Sequence, residues 1–342
     1  MKYCIIGSGA FGINLSYNLL KKGHYVTLIT NKFESVSSIY ARGVPITNPP
    51  LTWLPNMYFK MDNYNFIWTI MCFILTLVNS LYYIKYKKFA INKSKKIIES
   101  YNLKYNTCNN KYFINLPEIF NKMMIDMRKN NKFTINIKNV SNDDIKKLSN
   151  KFDLIFDCRG SNVTKNYLCE NIGGYKLIIQ ANNQKKKCFS YEDGWFIHSD
   201  INNKNNIIVK GGFIVGSKVY DTKKLSDFEK NKIKKIVMNK PFWKKYNCKK
   251  IIDIRKGSRQ YSVDLLPFYI KKNNIVTIHG GSAVGAILSP YISDCIINEI
   301  IYKKKQSYDF SKNRAIKNYN YLLLHFIFII IFIIYIFYKQ YY

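Results

Sequence analysis

The hydrophobic pattern at the amino terminus gives a strand, a turn and a helix in immediate succession. Tyr3-Cys4-Ile5-Ile6 is an unbroken apolar run that stops at Gly7-Ser8-Gly9. Ala10 to Lys22 reads as a helix closed by Gly23, a residue suited to a helix C-terminus. Tyr25–Thr30 (YVTLIT) is a β-branched run of the kind found in strands covered on both faces, as in parallel sheets. Strand, helix and strand within about thirty residues make one βαβ unit.

Beyond it, Asn31 to Pro55 is loop-rich, with Pro45, Pro49, Pro50 and Pro55. Phe66–Tyr83 carries no charge and reads as a buried helix, although pattern alone does not separate that from a membrane-embedded segment. Tyr83–Tyr101 is amphipathic and Lys-rich. Phe133–Val140 alternates like a strand, and Phe152–Phe156 is another, closed by Asp157-Cys158-Arg159-Gly160. Strand-like runs at Tyr175–Gln180, Trp195–Ser199 and Ile207–Val215 predict a second, mainly antiparallel sheet inserted into the first unit. The chain returns to a strand at Asn274–Ile278, then Gly280-Gly281 and a helix from about Ala286 to Tyr302.

The carboxyl-terminal pattern differs in kind. Tyr321–Tyr338 (YLLLHFIFIIIFIIYIFY) has eighteen residues without a charge, hydrophobic all round, with Tyr at both ends. At 1.5 Å per residue such a helix spans roughly 27 Å, enough for a hydrocarbon core. Lys303, Lys304, Lys305, Lys312, Arg314 and Lys317 precede it and only Lys339 follows. That asymmetry predicts a single-pass C-terminal anchor with the large domain on the cytosolic side.

Charge and cysteine usage change the picture little. The 342 residues carry 54 Lys and Arg against 21 Asp and Glu, a formal charge of +33. The excess is nearly all Lys, spread among Asn and Ile without an aromatic-interleaved Arg motif, so it reads as solvated surface, and nucleic acid is not the expected partner. The eight cysteines lack CxxC or CxxH spacing, and the four histidines lack metal spacing, so no metal site is expected. Several cysteines sit in apolar runs and read as buried, reduced thiols. There is no secretory signal at the amino terminus.

Gly7-Ser8-Gly9-Ala10-Phe11-Gly12 carries the chemistry. It is a GxGxxG that follows a strand and opens a helix. Its glycines suit a tight turn, a close approach of backbone to a pyrophosphate, and close packing of helix on sheet. The pyrophosphate then lies at a helix N-terminus, where unpaired N–H groups and the dipole favour negative charge. The second strand should end in an acid that binds the adenosine ribose; Thr30-Asn31 stand there instead, and Asn31 can still bond a hydroxyl.

Four stretches, in order, resemble the flavin-dependent D-amino-acid oxidase family, which includes glycine and sarcosine oxidases. They are GSGAFG at residue 7, FDLIFDCRG at Phe152–Gly160, GWFIHSDINNKNNIIVKGGFIVG at Gly194–Gly216, and Gly257–Gly285, which contains GSRQYSVDLLPFY and NNIVTIHGGSAVG. The likeness covers most of residues 1–302. It implies an α/β fold: a Rossmann-like FAD-binding domain with an inserted, mainly antiparallel α+β substrate domain, here followed by the C-terminal transmembrane helix. The expected layout is an FAD-binding part over 1–165 with a helical insert at about 56–130, a substrate domain over 166–256 and a closing FAD-binding part over 257–305. A basic linker over 306–320 and the anchor over 321–338 complete it.

The resemblance also implies site residues. Gly7, Gly9, Ala10, Phe11 and Gly12 hold the FAD pyrophosphate; Asn31, Ser37 and Ser38 lie near the ribose and phosphates. Val140 corresponds to backbone that pairs with adenine, and Gly160 to a loop packed on the cofactor. Gly280, Gly281, Ser282 and Gly285 match the turn facing the flavin pyrimidine. Arg259 takes the position that grips a substrate carboxylate, a bidentate fork suited to that anion; in a chain this basic an ordinary surface arginine is the other reading. Trp195, and Tyr191 nearby, align with an aromatic over the substrate or are core aromatics. His279 lies near the flavin or is a packed strand residue. The implied partner is a carboxylate-bearing amine or amino acid, oxidised by hydride transfer to flavin N5. The alternative is a membrane-tethered protein that keeps the fold without catalysis.

Overall fold

The computed structural model describes residues 1–31, 80–100, 106–108, 111–113, 116–160, 166–181, 188–191, 194–201, 204–213, 226–239, 243–244, 247–262, 266–281 and 285–341. The expected βαβ unit is present: β1 (Lys2–Ile6), α1 (Ala10–Lys21) and β2 (Tyr25–Thr30). Then come α2 (Ser80–Glu99), a small hairpin of β3 (Asn106–Cys108) and β4 (Lys111–Phe113), and α3 (Leu116–Arg128). The chain re-enters the first sheet as β5 (Phe133–Ile137), crosses back through α4 (Asn142–Ser149) and forms β6 (Leu154–Asp157). Residues 66–79 of the expected apolar helix lie outside the described residues.

The inserted sheet consists of β7 (Cys169–Ala181), β8 (Cys188–Tyr191), β9 (Gly194–Ile201), β10 (Lys204–Phe213) and, after α5 (Asp227–Met238), β11 (Cys248–Ser262). Its order is β11-β7-β10-β9-β8, antiparallel throughout. The boundary expected at residue 257 falls inside β11. The long strand carries the GSR segment in the inserted sheet and delivers the chain directly to β12 (Phe268–Lys272) and β13 (Ile275–His279) of the first sheet.

The first sheet runs β12-β13-β6-β1-β2-β5, with only β12 antiparallel. Its central strands are buried almost end to end, the reason β1 and β6 read as continuous apolar runs rather than alternating ones. One face is covered by α1, α2, α3 and α6 (Gly285–Ile300). The other face carries α4, whose Ile145 packs with Cys4, Ile6, Ile29 and Ile155. β2 leaves one side of β1 and β6 returns on the other, so the strand order reverses at β1. In parallel α/β sheets ligands bind at that crevice, outside the carboxyl ends of the strands.

The carboxyl-terminal helix α7 (Lys312–Tyr341) begins docked on the domain. Phe310 and Ala315 are buried, and Tyr269 N–H donates to the Phe310 carbonyl at 2.8 Å. The Arg314 guanidinium donates to the carbonyls of Leu266, Pro267 and Asp309 at 3.0–3.2 Å. Residues 310–316 are thus part of the folded body, not the linker the Lys-rich pattern suggested. Among the described residues no helix is long and apolar enough to cross a membrane, which leaves the expected span without support. The side chains at 321, 322, 325, 326, 329 and 333 lie outside the described residues. Of the others, Leu324, Phe328, Ile331, Phe332, Ile334, Tyr335 and Phe337 are each more than half exposed.

Candidate functional site

The glycine turn is shaped by contacts that admit no side chain. Gly7 adopts φ +101°, and a Cβ there would lie 2.7 Å from the Cys158 carbonyl oxygen. A Cβ on Gly12 would lie 1.8 Å from the Gly7 oxygen, so the first turn of α1 closes on the turn that precedes it. Gly9 is the N-cap, with no side-chain cap and no acid in the first turn among the described residues. The leading N–H groups of α1 point out of the crevice end of β1 with no intrahelical partner. Uncapped N–H groups and a glycine turn free of carboxylates fit a dinucleotide pyrophosphate.

At the end of β2 the buried Thr30 hydroxyl lies 2.7 Å from Ser8 Oγ, tying the strand end to the glycine turn. Thr30 N and O face β5 and the turn after it, where Lys138 N–H donates to Thr30 O at 2.9 Å. Asn31 follows at the surface. The strand ends on Thr30, where the β-branched run ends, and Asn31 is the first residue beyond it.

The closing turn stands beside the first one. A Cβ on Gly281 or Gly285 would meet Phe11 Cε2 at 3.6 and 3.5 Å, which places the aromatic ring of the GxGxxG against both glycines. Asn14 on α1 donates to Ser289 on α6 at 3.0 Å, deep between the two helices. Two helix N-termini, 275 residues apart in sequence, thereby converge at one crevice. The Gly280 N–H donates to the side chain of Gln260 at 2.9 Å, so β11 of the inserted sheet braces this turn.

His279 precedes that turn and is a packed strand residue. Its ring stacks on Phe268 at 5.3 Å. Burial pushes its pKa down to about 4, with Asp157 opposing and Lys312 adding to the shift, so the ring is neutral near pH 7. Nδ1 has no hydrogen-bond partner among the described residues. Burial likewise pushes the Cys4 thiol up to about 12 and the Cys158 thiol well above its ordinary value, so neither is a nucleophile. Among the described residues no group of His, Cys, Asp and Glu is arranged to hold a metal.

The remaining expected residues divide. Val140 packs against the α4-side cluster, and Gly160 closes the β6 turn at φ +64°. Ser37, Ser38 and Ser282 lie outside the described residues. Arg259 occupies β11 opposite Ile172 and next to Gln260, whereas Trp195 pairs with Ser190 and Lys210 on β9, and Tyr191 with Gly194 on β8; the side chains of all three lie outside the described residues. β11 and β8 are opposite edges of the five-stranded sheet, so its order does not bring Arg259 beside Tyr191 and Trp195.

No protein-family model matches the chain, and no curated protein sequence matches it. Solved structures do. Iminodiacetate oxidase from Chelativorans sp. is 10% identical, with 90% of this chain and 99% of that chain covered at a TM-score of 0.56. Glycine oxidase from Bacillus cereus is 13% identical, with 89% and 96% covered at 0.54. L-proline dehydrogenase from P. horikoshii is 14% identical, with 89% and 94% covered, also at 0.54. Over nearly its whole length, the chain has the fold of these amino-acid and amine oxidases and dehydrogenases.

Proposed function

We propose that this protein is an FAD-dependent oxidoreductase acting on an amino acid or a related amine that bears a carboxylate. The observation that carries the reading is Phe11 lying against Gly281 and Gly285, which unites the two glycine turns at the crevice where the strand order reverses. The fold likeness to oxidases and dehydrogenases of iminodiacetate, glycine and proline supports the substrate class, since each of those compounds is an amine carrying a carboxylate.

In this reading Gly7–Gly12 holds the pyrophosphate on the N-terminus of α1, and Thr30 with Asn31 lines the ribose end. The turn at Val140 faces the adenine, and Gly280–Gly285 with the N-terminus of α6 meets the flavin. When bound, FAD would supply the acceptor for the hydride, with its two electrons, that leaves the amine Cα. What the chain supplies is position. A helix N-terminus at the pyrimidine end favours negative charge there. Arg259, on β11, would grip the substrate carboxylate as a bidentate fork. Neutral His279 offers no acid in the active range. We assign no role to Tyr191 and Trp195. No observation favours the inactive-scaffold alternative.

We also propose that α7 attaches the protein to a membrane, with the folded domain on the cytosolic side. The support is the exposed apolar surface of α7 and the excess of Lys and Arg before it over that after it.

The first test is the visible spectrum of the full chain, purified in detergent, before and after anaerobic addition of glycine, sarcosine, proline and other D- and L-amino acids. Flavin bands that bleach with a carboxylate-bearing amine, and an Arg259→Lys variant whose KM rises at least tenfold with kcat less affected, are the expected results. A folded protein that refuses added FAD would overturn the reading.

A further inference from the structure

Arg159, just beyond the end of β6, makes a set of bonds that the cofactor reading has not used. Its Nε and Nη2 form a fork on the carboxylate of Asp157, at 2.9 and 2.8 Å. The same guanidinium donates from Nη1 to the Val140 carbonyl at 3.0 Å and from Nη2 to Asn142 Oδ1 at 2.8 Å. The pair is well buried, the two side chains 13% and 4% exposed. Its backbone N lies 3.2 Å from where a Gly7 Cβ would stand, so the residue touches the glycine turn as well. The side chain thus ties the loop after β6 to the loop after β5 at the carboxyl end of the parallel sheet, and the backbone of the same residue lies against the turn after β1.

The loop after β5 matters for what it faces. A dinucleotide whose pyrophosphate lies at α1 passes its adenosine over β2, where the ribose-binding position of such sheets is found. β5 is the strand next to β2, and Thr30 O holds the Lys138 N–H at the start of the loop in question. From there the loop passes through Val140 and Asn142 into the capped start of α4. Arg159 fixes the middle of that loop by its main-chain oxygen and by Asn142. The Asp157 fork in turn orients the guanidinium, because a bidentate carboxylate allows it one plane.

We propose that Arg159 is the positioning residue through which the site selects an adenine dinucleotide over a flavin mononucleotide: held by Asp157, it sets the Val140–Asn142 turn against which the adenosine half lies. The inference rests on the flavin reading above and names the determinant of cofactor choice within it. A lysine at 159 keeps a positive charge beside Asp157 but cannot fork the carboxylate and reach Val140 and Asn142 together.

The test measures Kd for FAD, FMN and ADP with the full-length wild type, Arg159→Lys, and an Asp157→Asn/Arg159→Met double variant that leaves no unpaired buried charge. Thermal unfolding of each apo-protein is recorded alongside. The expected result is FAD and ADP binding weakened roughly tenfold or more in both variants, the scale of one lost charge-assisted hydrogen bond, with FMN affinity changed less than about twofold. Parallel losses for FAD and FMN would mark a structural role and overturn the proposal, as would unchanged FAD binding in the variants. If one variant does not fold, the other decides. A wild type that binds ADP but not FAD would remove the flavin reading while leaving the Arg159 test on ADP intact; a wild type that binds none of the three removes both.

Discussion

At the scale of single residues, the chain uses burial more than charge to set its chemistry. His279 is the clearest case. In an unfolded chain its imidazole takes a proton near pH 6.5, whereas in the fold burial keeps it neutral down to about pH 4. Between those values the unfolded state binds a proton that the native state does not. Stability is therefore unaffected above pH 6.5 and falls as the pH is lowered towards 4, by a total of order 3 kcal/mol. Thermal unfolding of wild type and His279→Phe across this range should show the wild type losing stability more steeply, since Phe keeps the stack on Phe268 and has no proton to bind. Superimposable slopes would count against a buried, neutral His279. The sequence placed His279 before the glycine pair but left two environments open. Which one holds depends on Phe268, its partner across β12 and β13.

At the scale of elements, α4 is short and polar and owes its place to its ends. Ser141 Oγ accepts from the Asp144 N–H at 3.1 Å, while the Asp144 carboxylate accepts from the Ser141 N–H at 2.9 Å, a reciprocal cap. Only Ile145 among its eight residues is buried. Ser141→Ala should lower stability by about 1 kcal/mol, read from urea unfolding; a midpoint equal to wild type would show that tertiary packing alone holds the helix. The cap also explains where the sequence reading went astray. Alternation from Phe133 to Val140 suggests one strand, but β5 ends at Ile137 because the next residues turn into the capped helix. Periodicity reports which faces are apolar, not where the hydrogen-bonded ladder stops.

At the scale of the molecule, the inserted sheet and the carboxyl-terminal helix are both fastened to the nucleotide-binding sheet. β11 reaches Gly280 through Gln260, and Ala315 of α7 packs with Leu168 and Phe268, at the start of the inserted sheet and on β12. Truncation after residue 318 should leave the apo-protein as stable as the full chain, whereas truncation after residue 305 removes Phe310 and Ala315 from the core. The second should lose roughly 3 kcal/mol or more, on the scale of a deleted core Phe. Calorimetry of the two fragments separates these outcomes, and equal stability would refute the docking. The same pair addresses attachment: the full chain should sediment with membranes in high salt, and residues 1–318 should not. A full chain that is released by salt would sink the anchor.

Several features were decided by the sequence alone. The GxGxxG, the β-branched strand after it and the apolar run before it impose a βαβ unit, because only glycine satisfies the contacts at Gly7 and Gly12 and only unbroken apolar strands suit a sheet covered on both faces. The strand-like runs of the middle segment likewise pointed to a second, mainly antiparallel sheet, which β7 to β11 form. Tertiary structure alone decided what meets what. Phe11 against Gly281 and Gly285 joins the two ends of the sheet domain, far apart in the chain, and neither it nor the bonds of Thr30 to Ser8 and of Arg159 to Val140 is marked by a local pattern. It also decided that residues 310–316, part of the stretch expected as a basic linker, are docked, because a buried Phe310 and three backbone carbonyls on Arg314 outweigh the solvation of Lys312 and Arg314. Local pattern sets the conformation each segment prefers; the crevice exists only where distant segments share the burial of the same surface.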